Sequence, residues 1–286
     1  MEGLQSKWTK KVYPLIRHQD SSIGTLNTKC KDLEVDFDFI IQNYVWDVWS
    51  MEQCVIHNKQ TLEIIEKSFQ DRHGTSLSMY DTLFQDNASR MRHKVVNLIN
   101  TCEIFFAKNQ ENRILTIDLI KDIHRHVMDG LLDHPGEFRT VHVSTQYFSQ
   151  RVYAAPSVIK QRLDTLINDY NNIIPTLKNF EQHIALGATF LEIFLHIHPF
   201  RNGNGRTGRI LFSILLESHS VIPLSIFRTH PLDMDGNRKG YLEALNIAQG
   251  GPGFQATPIY FVRFVFDCVY AQLYNLWDTF GTNHVL

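Results

Sequence analysis

HPFRNGNGRTGR, residues His198 to Arg209, lies between two apolar runs with helical spacing, LGATFLEIFLHI before it and ILFSILLESH after it. Pro199, Gly203 and Gly205 interrupt that spacing, so the run reads as a tight loop opening onto the N-terminus of a new helix. The first N–H groups of a helix have no partner within it, and its dipole favours negative charge, so such a terminus suits a phosphate. Glycines let backbone approach the anion closely. Arg206 and Arg209, three residues apart, share a face of the new helix and can add charge-assisted hydrogen bonds. His198 enters the loop from the preceding helix and titrates near neutral pH, as a base for a hydroxyl nucleophile should. A lone Gly-x-Gly with a nearby histidine reads as a surface turn. The ordered series of His, Phe, Gly, Asn, Gly, Arg and Arg points instead to phosphoryl or nucleotidyl transfer.

Most of the remaining chain carries the helical period. Phe37, Ile40, Ile41, Tyr44 and Val48 fall at that spacing, as do Val262, Phe266, Val269, Leu273 and Trp277. Residues 115–129, ended by Gly130, and residues 157–171 and 179–197 predict three further helices. Residues 140–153 differ: Val141 and Val143 alternate with polar neighbours, which predicts a β-hairpin or extended flap. The expected fold is mainly α with one small β element. Residues 1–30 are polar and weakly patterned, and no Pro/Gly/Ser-rich linker marks a boundary, although one near residue 90 is compatible with the pattern.

Of the 286 residues, 43% are hydrophobic and 20% charged, enough for a substantial core, and the formal net charge of −2 gives no sign of nucleic acid or an anionic membrane as partner. Cys30, Cys54, Cys102 and Cys268 are far apart and form no CxxC pair, so they read as buried free thiols rather than a zinc site or disulfide framework. The histidine pairs His124/His126 and His196/His198 are two residues apart, which on a helix sends the rings to different faces. No apolar run is long enough to span a bilayer, and the start, MEGLQSKWTKK, lacks the apolar stretch of a signal peptide. The expected location is the cytoplasm, and export by a route that reads no N-terminal signal stays open.

The loop resembles the Fic family motif HxFx(D/E)GNGRxxR at every defined position but one, where Asn202 replaces the acidic residue. Gly136 to Thr140, GEFRT, resembles the family's GxFRT segment before a target-docking flap. Gly240-Tyr241 with YLEAL resembles the helix lining the nucleoside pocket, although many members have an aromatic residue where this chain has Gly240. By motif order the resemblance covers roughly residues 50–270. It implies a Fic-type helical bundle with a small β-hairpin flap: an N-terminal helical region over 1–90, with an inhibitory-like helix within 50–70, and a Fic core over 91–286. It implies a protein AMP transferase that uses ATP and Mg2+ and modifies a Ser, Thr or Tyr hydroxyl of a target protein, with no nucleic-acid partner, no membrane segment, and homodimerisation open. His198 would be the base. Phe200 would pack into the core and fix the loop. Gly203, Asn204, Gly205, Arg206 and Arg209 would hold phosphates, Tyr241 the nucleoside, and Val143, Ser144, Thr145 and Tyr153 the target strand.

Two departures bear on these implications. In the family the acidic residue holds magnesium, and an amide at Asn202 coordinates without charge. Weaker metal affinity, a nucleotide-type donor other than ATP, and a nucleotide-binding interaction module with weak catalysis all remain open. The second departure concerns the family's inhibitory helix, (S/T)xxxE(G/N) continuing to TL. Asn58, Thr61 and Leu62 resemble that continuation, which puts Ile56 at the inhibitory Glu, with Glu52 one turn earlier. Thr82 to Asn87 fits the short pattern with Asp86 in place of the Glu.

Overall fold

The computed structural model describes residues 3–13, 22–31, 33, 44, 87–106, 114–144, 151–220, 222–226 and 234–281, with backbone alone for 87–92 and 234–238. The helices are α1 (Leu4–Lys7, continued by a π-helical turn Trp8–Val12), α2 (Ser22–Cys30), α3 (Asn87–Phe106), α4 (Ile117–Met128), α5 (Ile159–Ile173), α6 (Phe180–Ile197), α7 (Asn204–Leu216), α8 (Met234–Ala248) and α9 (Ile259–Phe280). No described helix is long and apolar enough to cross a membrane.

Helix α6 is the axis of the bundle. Its sequence is apolar nearly all round, and a helix of that kind must be covered on every side. Helices α7, α9, α5, α2 and α1 do so, and all but a few of its side chains are buried. Its start is set locally: Asn179 accepts a hydrogen bond from Gln182 N at 3.0 Å, while Gln182 Oε1 accepts one from Lys178 N at 2.7 Å. Helix α7 crosses α6 closely at Gly208, where a Cβ would lie 2.8 Å from Leu191 Cδ1 and 3.1 Å from Phe194 Cδ1. A larger residue would push apart the two helices that carry the loop.

The chain start departs from the weak pattern expected of residues 1–30. Leu4, Trp8 and Val12, four residues apart, are buried, as are Ile23 and Cys30. Lys7 Nζ donates to Glu192 Oε2 on α6 at 2.7 Å, both groups out of solvent. Each charge costs several kcal/mol to desolvate, so neither would stay ionised there without the other. Burial pushes the Glu192 carboxyl up, against the pull of Lys7. The pattern is weak in sequence because its apolar positions are separated by polar residues and lysines.

Cys30, Cys102 and Cys268 are buried free thiols, and Cys54 lies outside the described residues. Of the helix expected around residues 37–48, Tyr44 is described; its hydroxyl lies 2.6 Å from Ser213 Oγ on α7. The expected hairpin is not seen as strands: residues 140–144 and 151–155 run without helix or strand, and 145–150 lie outside the described residues.

Candidate active site

The last turn of α6 ends at His198, which has φ 53° and ψ 61° and is the only non-glycine residue at positive φ among those described. That left-handed turn costs about 1–2 kcal/mol for an L-residue. It persists because its carbonyls are held from another segment. Arg139 Nε donates to His198 O at 2.7 Å, Arg139 N donates to Pro199 O at 3.0 Å, and Arg139 Nη2 reaches Ile197 O at 3.3 Å. The same guanidinium donates to Val141 O at 2.9 Å and to Ala154 O, so one buried side chain joins both legs of the flap segment to the end of α6.

The turn presents the imidazole in one orientation. Its ring stacks on Tyr153, with centroids 4.1 Å apart and planes 27° off parallel. Nδ1 lies 3.3 Å from Leu195 O. A carbonyl only accepts, so Nδ1 carries the proton in this contact and Nε2 keeps the lone pair. Burial first, then the positive charges of Arg139 and Arg151, pull the His198 pKa down to about 4, against the Leu195 contact, which raises it. The ring is therefore neutral near neutral pH, and burial moves its titration below the near-neutral range expected from the sequence.

Gly203, at φ 77°, caps α7 and makes no side-chain capping bond to the helix. Its conformation needs glycine, and a Cβ there would also lie 2.6 Å from Met128 Sδ. The N–H groups of Asn204, Gly205 and Arg206 open the helix beyond it. The Asn204 side chain does not face this opening. Its Oδ1 accepts from Phe200 N at 2.9 Å and its Nδ2 donates to Phe200 O at 2.7 Å, so it closes the loop and leaves only its backbone N–H for an anion. Arg206 and Arg209 are both buried on α7; Arg206 Nη2 donates to Met128 Sδ at 3.1 Å, and the Arg209 guanidinium lies 5.9 Å over the Tyr241 ring. Tyr241 is buried on α8 against Phe261 and Phe264.

Asn202 is exposed, and its Oδ1 accepts from Gly203 N at 2.7 Å. No group of three His, Cys, Asp or Glu residues that could hold a metal ion occurs among the described residues. One neutral amide oxygen turned onto the backbone is a poor donor set for a resident magnesium ion, which prefers carboxylate and water oxygens.

The residues read from the loop thus come together: His198, Asn202, Gly203, Asn204, Gly205, Arg206 and Arg209 lie within one helix-to-helix turn, with Tyr241 beside Arg209. Of the flap residues, Tyr153 stacks on His198, Val143 is half-buried and Ser144 exposed. Thr145, Ile56, Glu52 and Asp86 lie outside the described residues. The sequence shows Arg139 within GEFRT without a role, and His124 only as half of a histidine pair ill-spaced for a metal. That histidine occupies a core position of the α4 stripe with Ile120 and Val127, a place where a polar residue signals a hydrogen-bonded partner.

Burial also holds His124, His183 and His196 down to about 4. The folded-state values lie below that of an exposed histidine, about 6.5. As pH falls through 6.5, the unfolded chain takes up protons that the folded chain refuses, so stability is full above that pH and is lost towards about 4. For each such ring the slope is about 1.4 kcal/mol per pH unit. The melting temperature is expected to fall between about pH 6.5 and 5, above the range where ordinary carboxylates titrate. A flat profile across that interval in scanning calorimetry would show that these rings are solvated.

Residues 114–216 match the Fic/DOC family profile. A Fido domain-containing protein of Dictyostelium discoideum is 31% identical over 121 residues, 42% of this chain and 76% of that protein. The protein adenylyltransferase Fic of Aedes aegypti is 33% identical over 178 residues, 61% of this chain but 32% of that protein, so the chain spans about a third of the length of that relative. A Fic domain containing signaling protein from Bacteroides thetaiotaomicron shares the fold with a TM-score of 0.68 at 20% identity, over 90% of this chain and 96% of that one.

Proposed function

This chain belongs to the Fic/DOC family, and from that premise we propose that it is a protein adenylyltransferase that moves AMP from ATP to a Ser, Thr or Tyr hydroxyl of a target protein. The observation that carries the reading is a neutral imidazole with its Nδ1 turned to Leu195 O, set one loop before a helix N-terminus capped by a glycine, which has no side chain to bond the first helical N–H groups. Nε2 of His198 takes the target hydroxyl proton as that oxygen attacks the α-phosphorus. A new P–O bond forms, the bond from the α-phosphorus to the α–β bridging oxygen breaks, and pyrophosphate leaves. The developing charge is met by the N–H groups that open α7 and by Arg206 and Arg209, in a region sheltered from water where such donors act strongly. The target is received along the flap. Val141 and Val152, 53% and 81% exposed, lie on its two legs, and an extended segment can pair with such backbone.

The test is incubation with ATP labelled at the α-phosphate or at the γ-phosphate, followed by a search for label on this chain and on candidate target proteins. Label from the α position alone supports AMP transfer. Label from the γ position means phosphoryl transfer. Binding without label from either replaces the reading with a nucleotide-binding module, one of the alternatives that Asn202 leaves open. A preference for another nucleotide would change the donor.

Asn202→Asp bears on the metal. A carboxylate at this position adds the charge that a hard cation prefers, so the magnesium concentration for half-maximal labelling is expected to fall about tenfold, the equivalent of about 1.4 kcal/mol. An unchanged requirement would remove position 202 from any metal role.

A further inference from the structure

His124 is fully buried on α4, 78 residues before the loop it touches. Its Nδ1 accepts a hydrogen bond from Gly136 N at 2.7 Å. That nitrogen therefore carries no proton, and the neutral ring must carry it on Nε2. Nε2 lies 3.0 Å from Asn202 O, which it meets as a donor. The ring face lies on Phe200, with centroids 3.7 Å apart and planes 8° off parallel. Three contacts at once determine the tautomer, the ring plane and the partner.

We propose that His124 is the positioning residue that aims the anion cradle. In a trans peptide the C=O and N–H groups point in opposite directions. By holding Asn202 O, the His124 Nε2–H determines where the next N–H, that of Gly203, points: away from α4 and towards the exposed side of the loop. There it is received by Asn202 Oδ1 at 2.7 Å. That oxygen belongs to an exposed side chain free to rotate, and it occupies the place a phosphate oxygen takes when the cradle fills. Gly203 itself cannot be replaced, since a Cβ would lie 3.4 Å from His124 Nε2 and 2.6 Å from Met128 Sδ at a positive φ. Gly136, the other partner, begins the GEFRT segment that ends near Arg139. One ring thus holds the loop that bears phosphate and the segment that braces the base in a common frame.

The proposal rests on the nucleotide-transfer reading for its consequence in activity, and the test separates the two. His124→Gln can still present an N–H to Asn202 O, and His124→Phe keeps the stack on Phe200 but offers no hydrogen bond. Both variants lose the Gly136 contact, so a merely structural role predicts similar losses in both. The probes are inorganic pyrophosphate and ATP, read by calorimetry and by the amide shift of Gly203 in NMR, together with labelling. We expect wild type to bind both probes with a Gly203 shift. His124→Phe should bind at least about tenfold more weakly, with its labelling defect in KM for ATP, and His124→Gln should stay within about threefold of wild type. Equal binding by wild type and His124→Phe, or equal losses in Gln and Phe matching their melting temperatures, would overturn the proposal. The expected order of affinity without labelling by wild type would remove the transfer reading and leave the positioning role standing. Binding of neither probe by wild type would overturn both.

Discussion

His198→Ala is expected to reduce transfer of α-labelled phosphate by roughly 10²–10⁴-fold, the usual loss when a positioned base is removed. The structure supplies the reasons for an effect of this size. The ring is neutral because burial and the Arg139 and Arg151 charges hold its pKa down to about 4. The Leu195 contact assigns its proton to Nδ1, so the lone pair on Nε2 is available without a change of tautomer. The side chain is also held by the Tyr153 stack, so little orientation is lost on reaction. Alanine tolerates the left-handed turn at residue 198 poorly. His198→Asn is therefore the matched variant, since asparagine accepts that conformation and cannot serve as an equivalent base. Both variants should still bind ATP. Labelling by His198→Asn within a few-fold of wild type would place the base elsewhere.

Arg139→Ala is expected to be the most damaging change to the structure around the site, costing on the order of 3–5 kcal/mol in chemical denaturation. The side chain serves the carbonyls of Val141, Ala154, Ile197 and His198, and alanine leaves those of Ala154 and Ile197, buried in this contact, without that donor. Arg139→Lys is the informative partner. It keeps the charge, but a single ammonium cannot reproduce a planar fork that addresses several carbonyls at set angles. Lys is expected to restore part of the stability while transfer stays at least about tenfold down, because the turn at His198 and the flap legs are no longer held together. If Arg139→Lys keeps both the wild-type denaturation midpoint and wild-type transfer, the guanidinium is not the brace described here.

The loop from His198 to Arg209 could be read from sequence because its signals are local. Pro199, Gly203 and Gly205 have backbone preferences that do not depend on distant neighbours, and the apolar runs on either side predict α6 and α7 from their own periodicity. The limits expected for the helices before and after the flap, 115–129 and 157–171, agree with Ile117–Met128 and Ile159–Ile173 to within two residues. The phosphate-binding role expected of Asn204 was legible only as part of a motif. Its side chain lies against Phe200, and four residues of separation do not say whether an amide faces ligand or closes its own loop. The burial of Leu4, Lys7, Trp8 and Val12 is not legible for a related reason: Lys7 counts as a solvated residue unless Glu192, 185 positions away, is known to be its partner.

By itself, then, the sequence determined a mainly helical fold, the order of loop and helices, and the residues that meet at the turn between α6 and α7, since each follows from periodicity, from a restricted backbone or from a motif contained in twelve consecutive residues. Only the tertiary structure decided the state of those residues. The proton on His198 Nδ1 and that on His124 Nε2 follow from which atoms face the two rings. The left-handed turn at His198 is held by an arginine 59 positions earlier, and the peptide before Gly203 is held by a histidine 78 positions before Asn202. An isolated loop would relax out of that turn and let those rings exchange tautomers, because the energy that opposes both comes from hydrogen bonds made in a buried setting between segments brought together by the packing of α4, α6 and α7.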